Sequence, residues 1–171
     1  MELFDFSNTN LKDSAIFSED RKYRYSLTRV WDDSKPMILF LGLNPSTANE
    51  INDDPTIRRI KKFAFDWGYG GIHMLNCFPL VSPDPLDLIF FKKNHQEYKA
   101  EIQINDSLIY RIWLEWPIIV FCWGSFSIVR ELCRDQELHE MFPKAFCFGK
   151  NANGSPKHPL YLKSDTKLIK Y

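Results

Sequence analysis

Five apolar residues in a row, Met37-Ile38-Leu39-Phe40-Leu41, run straight into Gly42-Leu43-Asn44-Pro45-Ser46-Thr47-Ala48, and Asp53-Asp54-Pro55-Thr56 follows shortly after. A short, continuous apolar run bounded by turn residues is the pattern of a strand buried on both faces of a parallel sheet. Gly42 lets the backbone leave that strand tightly, and Pro45 fixes the next bend. Asp54-Pro55 then opens a helix, with Asp as N-cap and Pro at the first helical position. Ile57, Ile60, Ala64 and Trp67 continue at helical spacing and Gly68 ends the run. A polar loop thus lies beyond the carboxyl end of a buried strand and before a helix N-terminus, where open α/β sheets bind ligands. The same pattern also serves an ordinary strand-to-helix loop with a good cap.

The remainder of the chain repeats this unit. Ile72-His73-Met74-Leu75-Asn76-Cys77-Phe78 reads as a second strand, after which three prolines stiffen residues 79–85. Asn94 is placed to cap a long helix reaching about Trp116, where Pro117 stops it; Asn105 interrupts its apolar stripe. Ile118-Ile119-Val120-Phe121-Cys122 reads as a third buried strand, Trp123-Gly124-Ser125 as its exit, and Ser125 as the cap of a helix running through Cys133. Lys144-Ala145-Phe146-Cys147-Phe148 reads as a fourth strand, and a short helix is expected from Ser164. Upstream, residues 21–31 alternate, with Tyr23, Tyr25 and Leu27 on one face and Lys22, Arg24 and Ser26 on the other, which predicts a half-exposed antiparallel edge strand. Residues 1–20 read as a loose, polar lead-in. The fold expected is therefore a single α/β domain over 1–171: a three-layer αβα sandwich around a mostly parallel, four-stranded sheet.

The 171 residues suffice for one core, and their charge narrows the partners. The formal net charge is zero, which argues against a strong, sequence-blind grip on nucleic acid. Charge is unevenly spread, with Glu2, Asp5, Asp13, Glu19 and Asp20 against Lys12 at the start. Lys144, Lys150, Lys157, Lys163, Lys167 and Lys170 stand against Asp165 at the end. The basic end is suited to phosphates or simply to solvent. Aromatic residues make up 15 % of the chain, enough for a core, a stacking surface, or both. No apolar stretch approaches the ~20 residues of a membrane span, and no signal peptide is evident. Cys77, Cys122, Cys133 and Cys147 form no CxxC pair, so neither a metal centre nor another cofactor is expected, and the cytoplasm is the expected compartment.

Four strand ends offer polar groups to one crevice: Asn44 with Ser46 and Thr47, Asn76, the Trp123-Gly124-Ser125 exit, and His158 after the last strand. Each alone has an ordinary structural role, Asn in a turn and His in a hydrogen bond. Together they are more specific. Asp53 and Asp54 admit two readings, a metal or acid/base pair, or a helix cap with a salt bridge to Arg58 one turn on.

The segments Tyr23–Trp31, Leu43–Ala48, Asp53–Thr56, Gly68–Gly71 and His158–Leu162 resemble domain-of-unknown-function family 1643, a set of small bacterial and phage proteins, across roughly residues 21–163. The layout further resembles the uracil-DNA glycosylase superfamily. Gly42-Leu43-Asn44-Pro45 is similar to its Gly-x-Asp/Asn-Pro loop, Asn76 to the asparagine that reads the base edge, Trp123-Gly124 to its Trp-Gly strand exit, and His158-Pro159 to its late His-Pro-Ser loop. Leu160 departs from that pattern, standing where glycosylases carry serine. This resemblance implies a base pocket bounded by Gly42, Pro45, Ser46, Thr47, Asn76, Trp123, Gly124 and Ser125. Asn44 would position a water near the sugar C1′, and His158 would donate to the negative charge that develops on the departing base. Phe78 or Tyr69 would stack the base; plain core packing is the competing role for Phe78. As a loop side chain facing a cavity, Asn44 is expected to contribute little to stability.

The function expected is a nucleobase-directed enzyme, hydrolysing an N-glycosidic bond in DNA or a nucleotide. Two alternatives use the same pocket: a non-catalytic nucleotide- or DNA-binding module in phage–host conflict, and an enzyme acting on hypermodified bases.

Overall fold

In the computed structural model, which describes residues 13–171, a seven-stranded sheet carries the chain. Its strands are β1 (Ser14–Phe17), β2 (Arg24–Val30), β3 (Met37–Gly42), β4 (Gly71–Asn76), β5 (Ile119–Phe121), β6 (Phe146–Cys147) and β7 (Ile169–Lys170). The spatial order is β1-β2-β4-β3-β5-β6-β7. The four inner strands, β4, β3, β5 and β6, are parallel, and β1, β2 and β7 are antiparallel additions. The helices are α1 (Pro55–Asp66), α2 (Asp87–Lys93), α3 (His95–Glu115), α4 (Ile128–Glu131) and α5 (Arg134–Met141), and a 3-10 turn spans Pro159–Tyr161.

Strand alternation divides the core in two. Ile38 and Phe40 of β3 face α1, together with Ile72, Met74 and Val120, while Leu39 and Leu41 join Leu75, Ile119 and Phe121 under α2 to α5. The continuous apolar run 37–41 is thus explained, since each face of β3 has its own helical cover. Asp54 caps α1 as expected, its Oδ1 accepting from the Ile57 N–H at 2.8 Å, with Pro55 at the first helical position. Asn105, the polar interruption of α3, is fully buried and donates through Nδ2 to the Asn76 carbonyl at 2.9 Å, tying mid-helix to the carboxyl end of β4. Asn94 precedes α3 but caps it with no side-chain bond.

Several expectations need correction. The sheet is wider than four strands. β2 is not at its edge, because Ser14–Phe17, inside the stretch read as a lead-in, pairs outside it as β1; residues 1–12 lie outside the described residues. The face of β2 read as solvated is buried as well. The register shifts at Ile16/Phe17, so that Tyr23 and Tyr25 enter the core under α2 and α3 whereas Leu27 enters the core under α1. Arg24, Ser26 and Thr28 are all buried. Near the end of the chain, the expected helix after Ser164 is replaced by β7. The helix expected from a Ser125 cap starts instead after Ser127, with no side-chain cap, and ends at Glu131. Cys133, with φ +57°, leads into the further helix α5. Among the described residues no helix is long and apolar enough to cross a membrane.

Candidate functional site

The parallel ladders run slightly past the named strands. Cys77 N–H donates to the Gly42 carbonyl at 2.8 Å, Phe78 N–H to Leu43 at 3.0 Å, and Cys122 N–H to Leu41 at 2.8 Å. Beyond them the chains splay at the carboxyl edge, and a cavity of about 160 Å3 opens there on the α1 side. Gly42, Leu43, Asn44 and Ser46 supply one wall, Asp54, Thr56 and Ile57 of the α1 N-terminus a second. Cys122, Trp123 and His158 supply a third, and Arg24, Met74, Ser82, Pro83 and Pro85 complete it. The sequence-predicted Asn44 and His158, 114 positions apart in the numbering of the chain, therefore line one space.

Each is held by its own hydrogen bonds. Asn44 Nδ2 donates to the carbonyls of Pro45 (3.1 Å), Leu80 (3.2 Å) and Ser82 (3.0 Å), which fixes the amide and clamps the proline-rich loop. That correction matters: Asn44 supports structure as well as facing the cavity. With Nδ2 committed, Oδ1 is the acceptor left for a ligand or water. His158 sits at the start of the 3-10 turn, where its Nδ1 accepts from the Leu160 N–H at 3.3 Å. The ring proton therefore belongs on Nε2, making His158 a neutral donor. His158 is exposed, yet partial desolvation beside the cavity lowers its pKa from the ordinary histidine value, with the Asp54 carboxylate pulling the other way. Gly124 has φ +82°, the left-handed region, and a Cβ there would come within 3.4 Å of His158 Cβ. Glycine thus allows the β5 exit to pass close beside the histidine.

Asn76 lies next to the cavity but does not line it. Its side chain is fully buried, and neither Nδ2 nor Oδ1 has a hydrogen-bond partner among the described residues. A Cβ on Gly42 would stand 3.2 Å from Asn76 Oδ1 and 2.4 Å from Met74 Cε, so a larger residue there would have to push the flexible Met74 methyl aside. Pro45 is buried beside the site and its carbonyl accepts from Ser82 N–H at 2.9 Å. Thr47 and Ser125 are exposed and do not line the cavity. Phe78 packs in the opposite core, 6.4 Å from the Tyr98 ring. Tyr69 borders a different hollow, with Pro36, Trp116 and Pro117 at the amino edge of the sheet.

The Asp53 carboxylate is taken up by two cations and does not pair with the Arg58 side chain. Its Oδ1 accepts from Arg29 Nε at 2.8 Å and its Oδ2 from Lys61 Nζ at 2.7 Å. Among the described residues no group of three His, Cys, Asp or Glu is placed to hold a metal ion. None of Lys144, Lys150, Lys157 and Lys163 lines the cavity. The cavity residue the sequence concealed is Arg24, 1 % exposed, whose place in an alternating strand reads as a solvated face.

A family model, protein of unknown function (DUF1643), matches residues 24–160, and the chain belongs to that family. No curated protein and no solved structure matches the chain.

Proposed function

For this member of the DUF1643 family we propose a nucleobase-directed enzyme that hydrolyses an N-glycosidic bond in DNA or a nucleotide. The observation that carries the reading is the convergence of Asn44 and His158 on one cavity at the carboxyl edge of the sheet. Its volume, about 160 Å3, is close to that of a cavity known to take up one benzene ring, about 150 Å3. Asn44 Oδ1 holds the water that attacks C1′. As the new O–C1′ bond forms, the C1′–N bond breaks and its electron pair leaves with the base. The water gives up its proton to solvent. The His158 Nε2–H donates to the base carbonyl where negative charge collects, and does so as a neutral group. Asn76 takes the base edge, its unpartnered amide being a buried group that a base would satisfy. Met74, flexible and crowding the same point over Gly42, is the side chain that moves to admit this contact.

Base release from a panel of normal and modified oligonucleotides, with free nucleosides in parallel, tests the reading. Release from at least one substrate, falling ~100-fold or more in Asn44→Ala, is the expected result. Because Asn44 also clamps residues 80–82, a thermal melt accompanies the assay, and the loss must be measured well below the variant's midpoint. Binding without release from any substrate would favour the non-catalytic module.

A further inference from the structure

The cavity contains a cation and an anion to which water activation and charge stabilisation assign no task. Arg24 is 1 % exposed, donates through Nη1 to the Ala48 carbonyl at 2.7 Å, and leaves Nε without a partner among the described residues. Burial lowers its pKa to about 10, against an upward pull from Asp54, so it stays cationic at neutral pH. Asp54 is 9 % exposed and gives one carboxylate oxygen to the α1 cap. Both line the same ring-sized space. Neither is free to move, one being anchored in β2 and the other at a helix start.

The unpartnered Nε is sealed off, and Arg134 carries one like it. What a guest meets is a buried cation lining the cavity, which favours groups that accept hydrogen bonds. A phosphate would complete Arg24 but would face the Asp54 carboxylate. A neutral ring with acceptors on one edge and a donor on another suits both. Asn44 has only its Oδ1 acceptor to offer, its amide nitrogen being committed, whereas Asn76 carries both a donor and an acceptor and so sets only a weak preference between bases. A carboxylate only accepts. Against it, a carbonyl oxygen is repelled, whereas an exocyclic amine donates.

Resting on the base-pocket reading above, we propose that Arg24 and Asp54 select a single-ring base bearing an exocyclic amine, of cytosine type, over its carbonyl counterpart of uracil type. The amine donates to Asp54, and the ring nitrogen and carbonyl accept from Arg24.

Asp54→Asn is the decisive variant, because asparagine caps a helix as well as aspartate does and turns an acceptor-only group into one that can donate. Binding of deoxycytidine and deoxyuridine is measured by calorimetry or NMR titration, alongside base release from matched oligonucleotides. The wild-type protein is expected to favour deoxycytidine by about tenfold or more, and Asp54→Asn to abolish or reverse that preference. Asp54→Ser, which also caps, serves if the first variant does not fold. Preference for deoxyuridine in the wild type, equal affinity, or a preference unchanged in the variant would overturn the proposal. Equal affinity that is lost in Asn44→Ala removes the charged-pair selection alone, whereas no binding of either nucleoside removes the base pocket with it.

Discussion

Two buried arginines stand on opposite faces of the sheet, and their surroundings differ in kind. Arg134, under α3 and α5, holds the Asp106 carboxylate with both terminal nitrogens (2.9 and 2.7 Å) and also reaches Glu137 (2.7 Å) and the Cys77 carbonyl (3.1 Å). Burial works against its charge, but Asp106 and Glu137 more than offset this and raise its pKa. Arg24, on the cavity side, has one carbonyl and a pKa lowered to about 10. The first has its charge matched by two carboxylates, although its Nε, like that of Arg24, has no partner among the described residues. The second is held in a space with room for something else. Unpartnered buried groups occur on both faces, His73 Nε2, Asn105 Oδ1 and Arg134 Nε on one, Arg24 Nε and the Asn76 amide on the other. What separates the two arginines is that one is hydrogen-bonded to carboxylates and the other lines a cavity.

The comparison is broken most directly at Arg134. Arg134→Met leaves Asp106 and Glu137 without their shared cation, and a loss of about 3–5 kcal/mol in urea unfolding is expected. A loss below ~1 kcal/mol would mean that the pairing with carboxylates is not what the geometry implies. A second probe of the same face is His73, buried against Thr28 Oγ1 at 3.0 Å and 6.4 Å from the Trp116 ring. Burial lowers its pKa to about 4. Between the ordinary value of about 6.5 and pH 4, the unfolded chain binds a proton that the folded chain refuses. This contribution to stability is complete above about pH 6.5 and declines as pH falls to 4, by up to about 3 kcal/mol. His73→Phe should flatten that part of the pH–stability curve; an unchanged slope assigns it elsewhere. The smallest effect is expected on the cavity face. Arg24→Met should cost about 1 kcal/mol or less in unfolding while weakening base binding about tenfold. If its destabilisation matched that of Arg134→Met, the distinction between the two arginines would fail.

Much of this arrangement was legible in the sequence. The parallel strands declare themselves because a strand covered on both faces needs an unbroken apolar run, as in 37–41. The α1 start is declared by Asp54-Pro55, and the meeting of Asn44 with His158 follows from the gathering of parallel strand ends. What remained hidden has a common cause. Arg24, Ser26 and Thr28 alternate with apolar residues, and alternation records which residues share a face but not whether that face meets water. Strands as short as β1 and β7 carry too few residues for a period, and their pairing depends on neighbours distant in the chain. Next to the left-handed Cys133, Arg134 is buried and bonded to Asp106 of another helix, a long-range contact that no local pattern announces. Phe78 follows Asn76 by two positions, yet the chain leaves β4 between them, and the phenylalanine enters the opposite core.

Trp123 gives the molecule an optical window on this site. Of the five tryptophans it alone lines the cavity, it is 2 % exposed, and its ring packs 4.7 Å from Phe121 and 5.7 Å from Tyr171. An aromatic guest entering beside it would quench one emitter and leave four as an internal reference. Occupancy can then be followed in unlabelled protein, in real time, before any product is known.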